Sequence, residues 1–246
     1  MSAPKRIFLT GASSGVGRSL VHHLKDRFEI VAVARRLERM KEEFGDDETV
    51  HCHRVDLAET DTLEERLSDL LDQYGPMPYL INNAGVSRDS RVEDLAEEAV
   101  EQSFRVNAFA PLTLMQAVLP AMQTRDFGRV INLTSGAPLN CFPEYAAYSA
   151  SKAALNAITV TAARENDDAN IKINLMSPGP VQTEMAPEAP MDPSACHATV
   201  DYLLSLDEDG PTGRFFWLGY EIPLFPDLNG VEWLEGEAID QYKQVV

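Results

Sequence analysis

Short apolar runs alternate with amphipathic stretches along most of the chain. RIFLT, EIVAVA, YLINNAG, VINLTS and KINLMS have the length and apolar content of strands. Between them, GVGRSLVHHLKDR and LERMKEEF carry apolar residues three and four apart, the spacing of a helix with one buried face. Strand and helix in alternation predict repeated βα units around a parallel sheet. YLINNAG, VINLTS and KINLMS each end in small or polar residues, which places those residues at the carboxyl edge of the sheet. Open α/β sheets bind their ligands along that edge.

The texture changes from Ser177 onward. SPGPVQTEMAPEAPMDPS holds Pro178, Pro180, Pro187, Pro190 and Pro193, too many for a helix interior or a central strand, and predicts a loop or lid over about 178–195. Asp192 before Pro193 has the pattern of a cap and first helical position, so a helix is expected to resume there and run toward Leu206. The stretch from RFFWLGYEIPL onward, with Trp217 and Trp233, yields no functional reading.

A chain of 246 residues buries a large core, and a single domain over 1–246 is expected. Its 39 acidic and 21 basic residues give a net charge of -18, which disfavours nucleic acid and anionic membranes as partners. Good solubility in high salt is one expected consequence of that charge. MSAPKR followed by the short run IFLT lacks the long apolar region of a signal peptide, and no later stretch is long enough to span a membrane, so a cytoplasmic protein is expected. Cys52, Cys141 and Cys196 are scattered as free thiols would be. His51 and His53 flank Cys52 as alternation on a strand would place them, and no metal site is expected.

TGASSGVG, Thr10 to Gly17, follows the first strand and opens a helical pattern. Gly11, Gly15 and Gly17 permit a tight turn and close backbone approach, while Ser13, Ser14 and Val16 lie where amides at a helix start face phosphate oxygens. The spacing is GxxxGxG, not the usual GxGxxG, and a plain tight βα connection has the same local pattern. EIVAVA ends at Ala34 and is followed by Arg35 and Arg36, where an acidic residue would hold the adenosine ribose of NAD. Two guanidinium groups suit the extra 2′-phosphate of NADP, and NAD is the poorer fit. A solvated helix start accounts for Arg39 and Lys41 equally well.

In EYAAYSASK, Tyr148 lies one helical turn before Lys152, whereas Tyr145 lies two turns away, roughly 10 Å along the axis. A nearby ammonium lowers a phenol pKa from its usual value near 10, so Tyr148 and Lys152 suit proton transfer. The same spacing also occurs on ordinary solvated helix faces. Pro111 has no amide hydrogen, so the carbonyl of Asn107 loses its helical partner. A kink is expected there, with room for a water.

TGASSGVG, the NNAG at 82–85, Ser135 with the YxxxK of Tyr148 and Lys152, and Pro178-Gly179 followed by Thr183 together resemble the short-chain dehydrogenase/reductase family, from the first strand to about Thr183. The resemblance implies a single-domain, Rossmann-like α/β fold, a doubly wound parallel sheet with helices on both faces. It implies reversible hydride transfer between NADP and a ketone or aldehyde and its alcohol, with Tyr148 exchanging the proton, Ser135 holding the substrate oxygen, Lys152 lowering the phenol pKa and binding the nicotinamide ribose, and Asn107 completing a tetrad. Asp56 and Leu57, in RVDL, would face the adenine; Asn83, Ala84 and Gly85 the adenosine side; Val181 and Thr183 the carboxamide. Tyr145 has no such role. A homo-dimer or homo-tetramer built on the helices of Asn107 and Tyr148 is the family expectation, although RFFWLGYEIPL replaces the family's glycine-rich closing motif. A cofactor-binding sensor on the same fold, or an epimerase or dehydratase using the same pair, are the competing functions. Leu139, Asn140, Cys141 and Phe142, with Met185 and Met191, are expected to line a mainly apolar substrate pocket.

Overall fold

The computed structural model describes residues 5–224 together with the backbone of 231–232 and 237–238. Its first half runs β1 (Arg6–Thr10), α1 (Gly15–Leu24), β2 (Glu29–Ala34), α2 (Leu37–Phe44), β3 (Val50–Arg54), α3 (Thr60–Tyr74) and β4 (Tyr79–Asn82). The second half runs α4 (Glu97–Phe104), α5 (Ala110–Arg125), β5 (Gly128–Leu133), α6 (Ala137–Asn140), α7 (Ala146–Arg164), β6 (Ile171–Ser177), α8 (His197–Leu204), β7 (Phe215–Trp217) and β8 (Tyr220–Ile222). A two-residue antiparallel pair, β9 (Val231–Glu232) and β10 (Glu237–Ala238), lies beyond them in the chain. The outer limits of the expected domain, and Trp233, fall outside the described residues.

One eight-stranded sheet has the order β3-β2-β1-β4-β5-β6-β7-β8. All neighbours pair in parallel except β7 and β8. The chain therefore winds outward from β1 to β3, then returns to place β4 on the other side of β1. That reversal opens a crevice at the carboxyl ends of β1 and β4.

Alternation along β1 explains the two layers. Ile7 and Leu9 pack with Leu20 and Leu24 of α1, Met40 and Phe44 of α2, and Val200 and Leu203 of α8. Phe8 points the other way, into a cluster with Leu63 and Leu67 of α3 and Leu114 and Val118 of α5. Both faces of the sheet are thus covered, and each such buried side chain contributes about 1.5–3 kcal/mol. At the opposite edge from the crevice, Arg129 of β5 is 1% exposed. Its guanidinium donates to the carbonyls of Leu206, Gly128 and Asn170 and to the Asn170 side chain, which ties the end of α8 to the sheet. It also lies 4.5 Å from the centre of the Phe127 ring.

Two local expectations take a modified form. The irregularity set by Pro111 is a π turn over Arg105–Phe109, with Pro111 in the first turn of α5. A wider turn changes the hydrogen-bond register where proline cannot donate, and it seats Asn107 at its centre. The helix after the proline-rich loop begins as a 3-10 turn, Pro193–Cys196, with the Asp192 carboxylate accepting from the Ser194 amide at 2.8 Å. It ends at Leu204, two residues short of the expected limit. Among the described residues, no helix is long and apolar enough to cross a membrane, and no group of three metal-ligating side chains is present.

Candidate active site

A cleft of about 660 Å³ opens at the crevice. The turn after β1 supplies Gly11, Ser13, Ser14, Gly15 and Val16 to its wall, and the end of β2 supplies Arg35 and Arg36. Asp56 and Leu57 follow β3, while Asn83, Ala84 and Gly85 follow β4. Tyr148 and Lys152 of α7 face it, and Pro178, Gly179, Val181 and Thr183 close it from beyond β6. Gly17, Asn107 and Ser135 are not part of that lining.

The first two loops are locked to each other by small groups. Thr10 Oγ1 accepts from the amides of Asn83 and Ala84, both at 3.0 Å, and Asn83 Nδ2 donates to the Thr10 carbonyl at 2.9 Å. Gly11 has φ +72, and a Cβ on it would lie 2.7 Å from Asn83 Nδ2. A Cβ on Gly17 would stand 2.3 Å from the Gly11 carbonyl oxygen. Gly17 therefore serves by letting α1 pack against the turn, which explains its place behind the wall.

Arg36 donates to Ser14 Oγ at 2.6 Å, to Ser13 Oγ at 3.3 Å and to Glu184 Oε2 at 2.7 Å. Arg39 holds the other carboxylate oxygen of Glu184. Hydrogen bonds from Arg36 and Arg39 keep the Glu184 carboxyl below the usual carboxylate range. The reading of Arg39 as mere solvated surface misses this contact, because Glu184 is 145 residues away in the chain.

Lys152 is 3% exposed and donates from Nζ to the Leu133 carbonyl at 2.7 Å. Burial lowers its pKa from 10.5 to about 8. Its Nζ lies 6.0 Å from the centre of the Tyr148 ring. The expected acidification of that phenol is not found. Burial raises the Tyr148 pKa, Ser135 pulls it down by hydrogen bonding, and Tyr145 and Asp89 push it up. Desolvation of the phenolate thus outweighs the help available from Ser135.

Asn107 is fully buried. Its Oδ1 accepts from the Val86 amide at 2.8 Å, and Nδ2 donates to the Val86 carbonyl at 2.9 Å and to Ser151 Oγ at 3.0 Å. Ser151 in turn donates to the Tyr148 carbonyl at 2.8 Å. The Asn107 side chain therefore joins the β4 loop to α7. A Cβ on Gly85 would come 3.4 Å from Asn107 Oδ1 and 3.6 Å from Lys152 Nζ, so glycine lets this loop pass close to both.

The expected substrate wall differs from expectation. Leu139 and Phe142 are exposed rather than turned into the cleft, Cys141 is exposed at φ 49, and Met185 both lines the cleft and is half exposed. Met191 instead packs against the core and pairs with Val181. The rings of Phe142 and Tyr145 stand 6.4 Å apart and those of Tyr145 and Tyr148 6.2 Å apart, both edge to face. Tyr145, given no role from the sequence, thus packs between the rings of Phe142 and Tyr148.

Residues 5–193 match the family model described as short chain dehydrogenase. An uncharacterized oxidoreductase of Staphylococcus saprophyticus is 34% identical over 74% of this chain and 76% of its own. L-xylulose reductase of Mus musculus is 31% identical over 87% of this chain and 84% of its own. A solved structure of a 4-hydroxyisoleucine dehydrogenase mutant complexed with NADH and succinate superposes with a TM-score of 0.81 at 26% identity, over 87% of this chain and 96% of that one.

Proposed function

The chain belongs to the short-chain dehydrogenase family of oxidoreductases, and on that footing we propose that it is an NADP-dependent carbonyl reductase or alcohol dehydrogenase acting on a small ketone or aldehyde and its alcohol. The observation that carries this reading is the grouping of Tyr148, Ser135 and Lys152 at the carboxyl edge of the sheet, beside a cleft built from the glycine turn and the NNAG loop. The fit of the cofactor is supported by the cleft between the glycine turn and the NNAG loop, and by the carboxylate oxyanion already held between Arg36 and Arg39. Residues Gly11, Ser13–Val16, Asp56, Leu57 and Asn83–Gly85 would hold the adenosine and phosphate end, with Arg36 on the 2′-phosphate. Val181 and Thr183, after Pro178 and Gly179, would meet the carboxamide.

NADPH supplies the hydride when bound. Ser135 and Tyr148 donate hydrogen bonds to the substrate oxygen, where negative charge develops during reduction. A phenol with a raised pKa stays protonated at neutral pH and is ready to give its proton to that oxygen. Lys152, with a pKa of about 8, keeps most of its charge at neutral pH on the same face of α7 as the phenol, and would hold the nicotinamide ribose. Asn107 holds α7 and the β4 loop in register through Ser151 and Val86. Met185, which lines the cleft and is half exposed, suits a substrate with an apolar body.

We assign the whole chain to one cofactor-binding domain, working in the cytoplasm as a homo-dimer or homo-tetramer. The test follows NADPH absorbance with a panel of aldehydes and ketones, alongside NADPH binding. Turnover of panel members supports the reading; binding without any turnover favours a sensor and overturns it.

A further inference from the structure

Glu184 sits in the proline-rich loop directly after Thr183, yet its carboxylate reaches back to α2 and the end of β2. One oxygen takes Arg36, the other takes Arg39, and Arg36 also holds Ser14 of the glycine turn at 2.6 Å. Two guanidinium groups converging on one oxyanion, one of them steadied by the Ser14 hydroxyl that accepts from it, make a recognition pattern for a phosphate monoester. Glu184, Arg36 and Ser14 all line the cleft. A carboxylate and a phosphate cannot share these donors, because two anions at contact distance repel.

We propose that Glu184 is an internal stand-in for the cofactor's 2′-phosphate, so that phosphate arrival displaces it and releases the outer arm of the 178–195 loop. This rests on the NADP reading of the cleft. The displaced contact is a modest one: Glu184, Arg36 and Arg39 side chains are 53%, 46% and 40% exposed, and such ion pairs are weak in water. A doubly charged phosphate therefore wins, at a cost in affinity of a few fold. The inner part of the loop has its own ties. Gln182 donates to the Met191 carbonyl at 2.7 Å, and Met191 donates to the Pro180 carbonyl at 3.2 Å. Within the arm, Gln182 Nε2 donates to the Pro187 carbonyl at 2.8 Å, and Thr183 and Ala186 exchange backbone hydrogen bonds. Release thus parts residues 184–190 from α2 and leaves these turns as the remaining ties, and the two cofactors differ in more than binding strength. A ligand without the phosphate leaves this arm fastened.

The experiment compares wild type, Glu184→Gln and Glu188→Gln, the last removing an exposed charge from the same loop. Dissociation constants are measured for NADPH, NADH, 2′,5′-ADP and 5′-AMP, and amide exchange is followed over 184–190. Glu184→Gln is expected to tighten NADPH and 2′,5′-ADP about three- to fivefold, with NADH and 5′-AMP changed by less than about twofold. In wild type, 2′,5′-ADP raises exchange over 184–190 and 5′-AMP does not; in Glu184→Gln exchange is already raised. Equal tightening in Glu188→Gln shows a bulk charge effect and overturns the proposal. So does unchanged NADPH affinity in Glu184→Gln, or weakened NADH affinity alone, which marks Glu184 as a ribose holder. The wild-type preference separates the two levels. NADPH preferred with no effect of Glu184→Gln sinks the stand-in and keeps the cofactor reading, whereas NADH preferred with NADPH gained in Glu184→Gln sinks the cofactor reading and keeps the stand-in.

Discussion

The ammonium of Lys152 lies 6.0 Å from the centre of the Tyr148 ring, and its hydrogen bond runs to the Leu133 carbonyl at 2.7 Å. The two groups are held on one face of α7 by the turn between them, as the YxxxK spacing requires. Burial is the largest influence on both: it lowers the lysine pKa and raises that of the tyrosine. At neutral pH the lysine, with a pKa of about 8, still carries most of its charge while the phenol keeps its proton.

Tyr148→Phe removes the hydroxyl that the proposed mechanism uses to exchange a proton with the substrate. Turnover is expected to fall by about 10²–10⁴, the range for loss of a general acid, while NADPH affinity changes by less than about threefold. Steady-state rates and fluorescence titration of NADPH check both halves. Undiminished turnover removes Tyr148 from the chemistry.

Lys152→Met should stabilise the ligand-free fold while abolishing turnover. Below about pH 8 the lysine is charged in both folded and unfolded chains, so the full penalty of burying it is present. Between about 8 and 10.5 the unfolded chain binds more protons than the folded one, and wild-type stability rises with pH from this group. The gain in Lys152→Met, about 1–3 kcal/mol at neutral pH, should therefore shrink across that window. Denaturant melts of both proteins over a pH series decide it; a gain constant with pH contradicts the assignment.

Gly17→Ala drives a methyl group into the Gly11 carbonyl oxygen, which lies 2.3 Å from the new Cβ position. We expect a loss of about 1–3 kcal/mol in stability and at least tenfold weaker NADPH binding, because α1 and the glycine turn must part. Thermal melts and cofactor titration measure each effect. Wild-type affinity in a stable variant means the turn yields without harm.

Arg129→Met takes away the guanidinium that donates to the carbonyls of Leu206, Gly128 and Asn170, of which Asn170 keeps the Gly128 amide at 3.1 Å. A destabilisation of about 3 kcal/mol or more is expected, far from the cleft and without a matching change in the cofactor preference of the folded fraction. Urea titration reads the stability. A loss below about 1 kcal/mol would show that these carbonyls find other partners.

Most of the sheet is legible because its signals are local. RIFLT and EIVAVA become β1 and β2, LERMKEEF becomes α2, and the small or polar ends of YLINNAG, VINLTS and KINLMS fall at the cleft edge of β4, β5 and β6. The glycine turn, Arg36, Tyr148 and Lys152 are brought to one cleft, as their motifs predict. Contacts that cross the chain are not legible in this way. Glu184 is one acid among 39, and nothing in TEMAPEAP distinguishes it until the loop folds onto Arg36 and Arg39. The direction of the Tyr148 shift escapes the motif for a related reason: spacing reveals the neighbouring cation, whereas desolvation depends on every element packed around the ring. Leu139 and Phe142 are apolar and near Ser135 in sequence, but α6 and the left-handed backbone at Cys141 turn them outward.

The arginines gathered at the end of β2 and the start of α2 stand on a molecule whose net charge is -18. An incoming anionic dinucleotide is repelled at long range and attracted only in the last few ångströms. Added salt shortens the repulsive reach, with a Debye length near 10 Å at about 0.1 M, before it weakens close contacts inside the cleft. Capture should accordingly quicken as ionic strength rises from a low value, the reverse of the usual steering of anions by basic enzymes. The acidic exterior then acts as an entrance filter whose height is set by the surrounding electrolyte.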